Sequence, residues 1–250
     1  MNPSGNSIDL NLSASEIVKR NYRTALVFNR YRIDYSFAEN LPLALVLENN
    51  SLNAEQVMDE LRQISRDVRV SPQLPFREWS TDFLSDYIIH VHHEYLRLFL
   101  PQIKGELDRF VEGNEQKFPY LRELKDIFDV LAKGMIPHLK EEEEIMFPYI
   151  RQIGHAYENR DSYASLLVRT LRKPVEAMMH HEHSSMNMTL NRMRKLTQFY
   201  DAPDSASMNH KVIFALLKEL DADIVQHLFL ENEILFPRAI AMENELLQIA

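Results

Sequence analysis

The chain contains no cysteine, which removes disulfides, thiolate metal sites and thiol catalysis from consideration. Glycine is scarce, 5 in 250 residues, and long stretches carry neither glycine nor proline. Such spacing favours helices over a turn-rich β architecture. Positive charge is in deficit: 28 Lys and Arg stand against 37 Asp and Glu, for a net charge of −9 with ten neutral His. Phosphate recognition needs concentrated Lys and Arg, so nucleic acid is not an expected partner. Long apolar runs are missing too. The stretch Leu41 to Leu47 falls far short of a membrane span, and the opening MNPSGNSIDLNLSASE has no apolar signal core. The expectation is a soluble, cytoplasmic protein with no membrane contact.

What is present is core-forming material, 45% hydrophobic residues, enough for one large domain with a small appendage. After a loose tail over 1–14, Ser15 is expected to cap a helix running to about Tyr31. A polar break around Asp34 to Asn40 and a short helix over Leu41–Glu48 follow. Asn53 is the expected cap of a third helix ending near Val68. The segment SPQLPFREWS, with Pro72 and Pro75, reads as a linker. The predicted organisation is therefore an all-α protein: a small helical domain at 1–71, a linker at 72–79, and a larger domain at 80–250. Four long helical patterns lie near 80–112, 119–149, 174–200 and 206–236. A minor helix is expected over 160–171. Pro174 suits a first turn and Pro237 an ending.

Each long pattern carries a seam with alternating steps of four and three. These are Ile89, His93, Leu96, Leu100, Ile103, Leu107, Phe110; Leu124, Phe128, Leu131, Met135, His138, Glu142, Ile145, Tyr149; Val175, Met179, His183, Met186, Leu190, Met193; and Ile213, Leu217, Leu220, Ile224, His227, Glu231, Ile234. Such seams build an up-down-up-down four-helix bundle. Every seam is interrupted by a histidine, and two of them by a glutamate four residues later. The second and fourth seams also share a phrase, HLKEEEEIMFP (His138–Pro148) and HLFLENEILFP (His227–Pro237), repeated at a distance of 89 residues. Packing accounts for the shared Leu, Ile and Phe, but not for inward His and Glu. An unpaired buried ionisable group costs several kcal/mol as an order of magnitude, so six of them need a common partner, and a metal centre supplies one.

The spacing fits that chemistry. Residues i and i+4 on a helix differ by about 40° in direction and about 6 Å in height, so His138 pairs inward with Glu142 and His227 with Glu231. In each pair the imidazole binds one metal and the carboxylate can bridge two. His93 and His183 come from the other two helices. His93 and His138 each lie 19 residues from the first hairpin turn, which brings them level in an antiparallel pair. Four imidazoles and two bridging carboxylates suit a dinuclear iron site, with zinc or manganese as alternatives. Positions left open would take an oxo bridge and a small ligand such as dioxygen, nitric oxide or peroxide. The Glu-x-x-His signature of ferritin-like di-iron bundles does not occur, and neither does His-Glu-x-x-His. His183 is preferred over His180 and His181, and His93 over His90 and His92, because each alone lies on its apolar stripe. The neighbours, with His155 and His210, read as surface or supporting residues, with His181 kept open as an alternative ligand. In Glu141–Glu144 only Glu142 lies on the seam, the others forming a solvated face. Pro137, just before His138, is expected to bend or split its helix.

The phrases HHEYLRLFLP, HLKEEEEIMFP, MHHEHS and HLFLENEILFP resemble the four ligand segments of the hemerythrin-like bundle, specifically of the di-iron iron–sulfur cluster repair proteins. NYRTALVFNRYRIDYSFAENLPL resembles the small leading domain of that family, so the resemblance spans nearly the whole chain. It implies the ligand set His93, His138, Glu142, His183, His227 and Glu231, the same six that the seams select. It also implies a role in nitrosative or oxidative stress, by iron delivery to damaged iron–sulfur proteins or by handling NO, O2 or peroxide. One departure is large: Ser36 and Phe37 stand where the family usually shows a Cys-Cys pair, so thiol-based iron transfer is unavailable. Relatives also often have a His near Asn114. Two other readings stay open, an O2- or NO-binding sensor whose N-terminal unit relays the state of the site, and a metal-free helical interaction module. The oligomeric state is open as well, a homodimer being among the options.

Overall fold

The computed structural model describes residues 8–35, 41–65, 74–160 and 163–248, and side chains throughout these except at 164, 167 and 171–182. The described residues form helices and no strand. They fall into two compact units, one drawn from 1–72 and 200–218 and the other from 73–199 and 219–250. Ser36 and Phe37, the expected helix end near Val68 and the side chains of Val175 and Met179 lie outside the described residues. Among the described residues no helix is long and apolar enough to cross a membrane.

In the first unit the expected single helix to Tyr31 is two, α1 (Ala14–Arg20) and α2 (Thr24–Arg30). The cap is Ser13 rather than Ser15. Its hydroxyl accepts from the Glu16 backbone N–H while the Glu16 carboxylate accepts from the Ser13 backbone N–H at 2.9 Å. This reciprocal arrangement fixes the start two residues earlier than the sequence suggested. Then come α3 (Leu43–Asn49) and α4 (Ala54–Ile64), the latter capped by Asn53 as expected. Val18, Phe28, Leu43, Leu47, Val57 and Leu61 are buried in this unit.

The second unit contains the bundle, assembled from four rods. The first rod is α5 (Thr81–Tyr87), a π turn π1 (Ile88–His93) and α6 (Glu94–Asn114). The second is α7 (Tyr120–Glu141), π2 (Glu142–Met146) and α8 (Phe147–Asn159). The third is α9 (Ala164–Leu196), which absorbs the expected minor helix, so Pro174 lies inside it rather than in a first turn. The fourth is α10 (Met208–Leu230), counted in the bundle from Glu219, then π3 (Glu231–Leu235) and α11 (Phe236–Gln248). Pro137 and Pro101 sit within α7 and α6 and split neither.

The π turns were not visible in the heptad count, and they change the register. In each, a backbone N–H reaches the carbonyl five residues back: Glu94 to Ile89, Phe147 to Glu142 and Phe236 to Glu231. One residue is thereby added to the turn. Ile88 is fully buried in place of Ile89, which is half-buried, and Met146 is buried in place of Ile145, which is exposed. The same insertion corrects the reading of Pro237. It does not end the rod; like Pro148 it comes just after a π turn, in the first turn of the next α segment. Around the π turns, Leu84, Ile88, Phe147, Ile150, Ile153, Leu235 and Phe236 close the core at this end of the bundle.

Candidate metal centre

All six seam residues with ionisable side chains converge. His93, Glu142, His227 and Glu231 form one cluster and His138, Glu142, His183 and Glu231 a second, with ligand-capable atoms within 4.8 Å of one another in each. All six side chains are buried. The two clusters share both carboxylates, and each carboxylate splits its oxygens between them. Glu142 Oε1 lies 3.2 Å from His138 Nε2 and 3.4 Å from His183 Nε2, while Oε2 lies 3.4 Å from His93 Nε2 and 3.7 Å from His227 Nε2. Glu231 Oε1 lies 2.9 Å from His227 Nε2 and 4.0 Å from His93 Nε2, and its Oε2 lies 3.6 Å from His183 Nε2. Each cluster takes one imidazole from the first hairpin of rods and one from the second.

The donor set fits a cation better than it fits itself. Two ligand atoms each about 2.1 Å from one ion stand roughly 3.0–4.2 Å apart as the angle between them opens from 90° to 180°. The separations of 2.9 to 4.0 Å match that range. Neither oxygen of Glu142 accepts a well-formed hydrogen bond, and Glu231 Oε2 has no partner either. His93 Nε2 and His227 Nε2 face each other at 3.1 Å. Buried carboxylate oxygens without partners are costly unless something else satisfies them.

The electrostatics point the same way. Burial and the neighbouring Glu231 push the Glu142 carboxyl up, yet the close approach of His183, His227 and His138 outweighs both and holds it below its usual range. Burial likewise opposes the charged form of Glu231, and His227 overcomes it, so this carboxyl is also depressed. Burial alone would lower His227; Glu231 and Glu142 instead raise it to about 10. His183 is raised as well, its burial outweighed by Glu142, Glu231 and Asn232. Two carboxylates held ionised in a buried pocket attract whatever positive charge can reach them, protons or metal.

Several supporting residues escaped the sequence reading. Glu143 does not belong to a purely solvated face. Its Oε1 accepts from His93 Nδ1 at 2.7 Å and from Arg97 at 2.6 Å. Asn232 Oδ1 lies 2.8 Å from His183 Nδ1. Both residues directly follow a glutamate shared by the two clusters, and that adjacency within the repeated phrase was the available signal. The π turn brings them round to the neighbouring rod. The rings of His93 and His183 stack on Phe147 and Phe236, with centroids 5.6 and 5.8 Å away. His92 is buried and its Nδ1 lies 2.9 Å from Asp223 Oδ1. His90 and His155 are exposed, and His210 packs against Phe214 in the first unit. His180 and His181 have side chains outside the described residues.

A four-helix bundle lined by four imidazoles and two shared carboxylates defines a carboxylate–imidazole cation-binding bundle. The model of the Hemerythrin HHE cation binding domain matches residues 84–239, and the chain belongs to that family. Among curated proteins the chain is similar to the iron-sulfur cluster repair protein ScdA of Staphylococcus haemolyticus, 22% identical over 89% of this chain and 95% of that protein. It is similar to the iron-sulfur cluster repair protein YtfE of Edwardsiella ictaluri, 26% identical over 87% of this chain and 91% of that protein. The iron-sulfur cluster repair protein DnrN of Neisseria gonorrhoeae is 37% identical over 67 residues, covering 27% of this chain and 42% of that protein.

Proposed function

We propose that His93, His138, Glu142, His183, His227 and Glu231 hold two iron ions, and that the protein serves nitrosative or oxidative stress defence in the cytoplasm as an iron–sulfur cluster repair protein. The observation that carries this reading is the pair of four-residue clusters sharing Glu142 and Glu231. Two carboxylates common to both positions would hold the ions as a pair, and the imidazoles supply borderline ligands that suit iron, with zinc or manganese as the alternatives. Bound iron would supply redox chemistry and affinity for small ligands such as NO, O2 or peroxide. The chain's own residues bind, orient and exclude water. Phe147 and Phe236 cover two of the imidazoles, and Glu143 and Asn232 fix which nitrogen faces inward.

In this reading residues 1–71 form a partner-facing domain and 80–250 the metal-carrying one, and the partners are damaged iron–sulfur proteins. With no cysteine in the chain, iron would leave from imidazole and carboxylate ligands alone. That absence favours a second reading, a sensor of O2 or NO without repair activity. The test begins with elemental analysis and a visible spectrum of protein produced in iron-replete cells. About two irons per chain are expected from the six-residue ligand set. The loaded protein is then mixed with an oxidised iron–sulfur enzyme. Recovery of enzyme activity supports repair; no recovery with intact small-ligand binding supports sensing; and protein that takes up no metal overturns both.

A further inference from the structure

The bundle's two halves repeat. His138, Glu142, Glu143 and Phe147 recur 89 residues on as His227, Glu231, Asn232 and Phe236, and π2 recurs as π3. His93 and His183, on the preceding rod of each half, lie 90 residues apart, one more than that repeat distance. In both halves the residue after the bridging glutamate reaches back to that histidine's Nδ1, at 2.7 Å in the first and 2.8 Å in the second. The geometry is kept while the chemistry is not. Glu143 is a carboxylate and Asn232 a neutral amide.

The difference falls on one metal position. His93 belongs to the cluster with His227, and His183 to the cluster with His138. A carboxylate can only accept, so Glu143 forces the proton onto His93 Nδ1 and leaves Nε2 as the inward lone pair. Its charge also makes that imidazole a stronger donor. Asn232 can fix the same tautomer for His183 but adds no charge. Arg97 does not cancel the effect. It is shared between Glu143 and Glu94, at 2.6 and 2.9 Å, so the trio keeps one net negative charge. A second asymmetry lies on the same side. The His92 ring stacks on His227, with centroids 6.1 Å apart, and is hydrogen-bonded to Asp223. The residue corresponding to Asp223 in the first half is Gly134, which offers no such group. Exposure runs in parallel: His93 and His227 are 0% exposed, whereas His138 and His183 are 5% and 4% exposed.

Resting on the dinuclear reading above, we propose that the two metal positions are unequal, the His93–His227 position being the retained one and the His138–His183 position the exchangeable one. The loss of one charge beside a ligand imidazole typically changes metal affinity by about 10–100-fold. The exchangeable ion is therefore the one the protein can give away while its partner keeps the bundle loaded.

The test loads the full chain with two equivalents of cobalt(II) and follows its release to excess EDTA by visible absorption. Wild type is expected to release cobalt in two phases of equal amplitude. Glu143→Gln keeps the hydrogen-bond acceptor and removes the charge, so it should speed the slow phase by about 10–100-fold and merge it with the fast one. Asn232→Asp should do the reverse, slowing the fast phase until it merges with the slow one. A single phase in wild type overturns the proposal, as does a Glu143→Gln variant that speeds only the fast phase, or an Asn232→Asp variant that slows neither. Wild-type protein that binds no cobalt and no iron overturns the dinuclear reading itself, an outcome distinct from cobalt bound in two equivalents and released in one phase.

Discussion

In the metal-free protein, His227 should make the bundle less stable as the solution turns alkaline. The neighbouring carboxylates raise this fully buried imidazole from 6.5 to about 10. The folded state thus keeps a proton that the unfolded chain gives up near pH 6.5. Stability fully present below that pH is lost as pH climbs towards the folded value. Between pH 7 and 9 the folded state holds close to one more proton than the unfolded state, so stability falls by about 1.4 kcal/mol per pH unit. Over the two units this is about 2–3 kcal/mol, or about 5–10 °C in Tm for a chain of this size. Glu142 and Glu231 do not contribute to this slope. Their pKa values are depressed, so the stability they confer is lost only in acid. The assay is thermal unfolding of chelator-treated wild type and His227→Gln across pH 7 to 9. Wild type should lose stability over the window and the variant clearly less, what remains coming from the raised His183. Reloading with metal should abolish the slope, because a liganded imidazole carries no such proton. A metal-free Tm that stays level or rises from pH 7 to 9, or an equal fall in His227→Gln, would refute the reasoning.

Other outcomes follow from the same geometry. Glu142→Gln should strip both ions, since its two oxygens face different clusters, whereas Glu144→Gln, on a side chain 63% exposed, should strip neither; metal per chain by elemental analysis decides. Gly154→Ala should destabilise the bundle by about 1–3 kcal/mol, because the added Cβ would lie 2.7 Å from Thr81 Oγ1. Thr81→Ala in the same chain should recover most of that loss in a denaturant titration. Ser13→Ala removes the reciprocal cap of α1 and should cost about 1 kcal/mol in chemical unfolding.

The sequence carried the centre because ligands on helices obey the same periodicity as the core. Glu142 and Glu231 stand on seams of Leu, Ile and Phe, where packing does not account for them, and the structure brings all six residues together. What the periodicity could not carry was any local departure from 3.6 residues per turn. The π turns exchanged Ile145 for Met146 and Ile89 for Ile88 at the core, and Glu143, within one of them, meets His93. Pro237 misled as well. Like Pro101 and Pro137, it lies in a rod that continues past it. The Ser13 cap was missed because Ser13 and Ser15 both precede the apolar run and only Ser13 has an acidic residue three positions on, at Glu16.

The division of the ligands between hairpins has a bearing on biogenesis. Each position draws one imidazole from the first pair of rods and one from the second, so neither pair alone carries a finished binding site. A nascent chain that has emitted only its first hairpin offers an ion one half of each cradle and cannot sequester it. If the six residues hold metal as proposed, capture waits until the two hairpins have met, and a loaded molecule is one whose own assembly is complete.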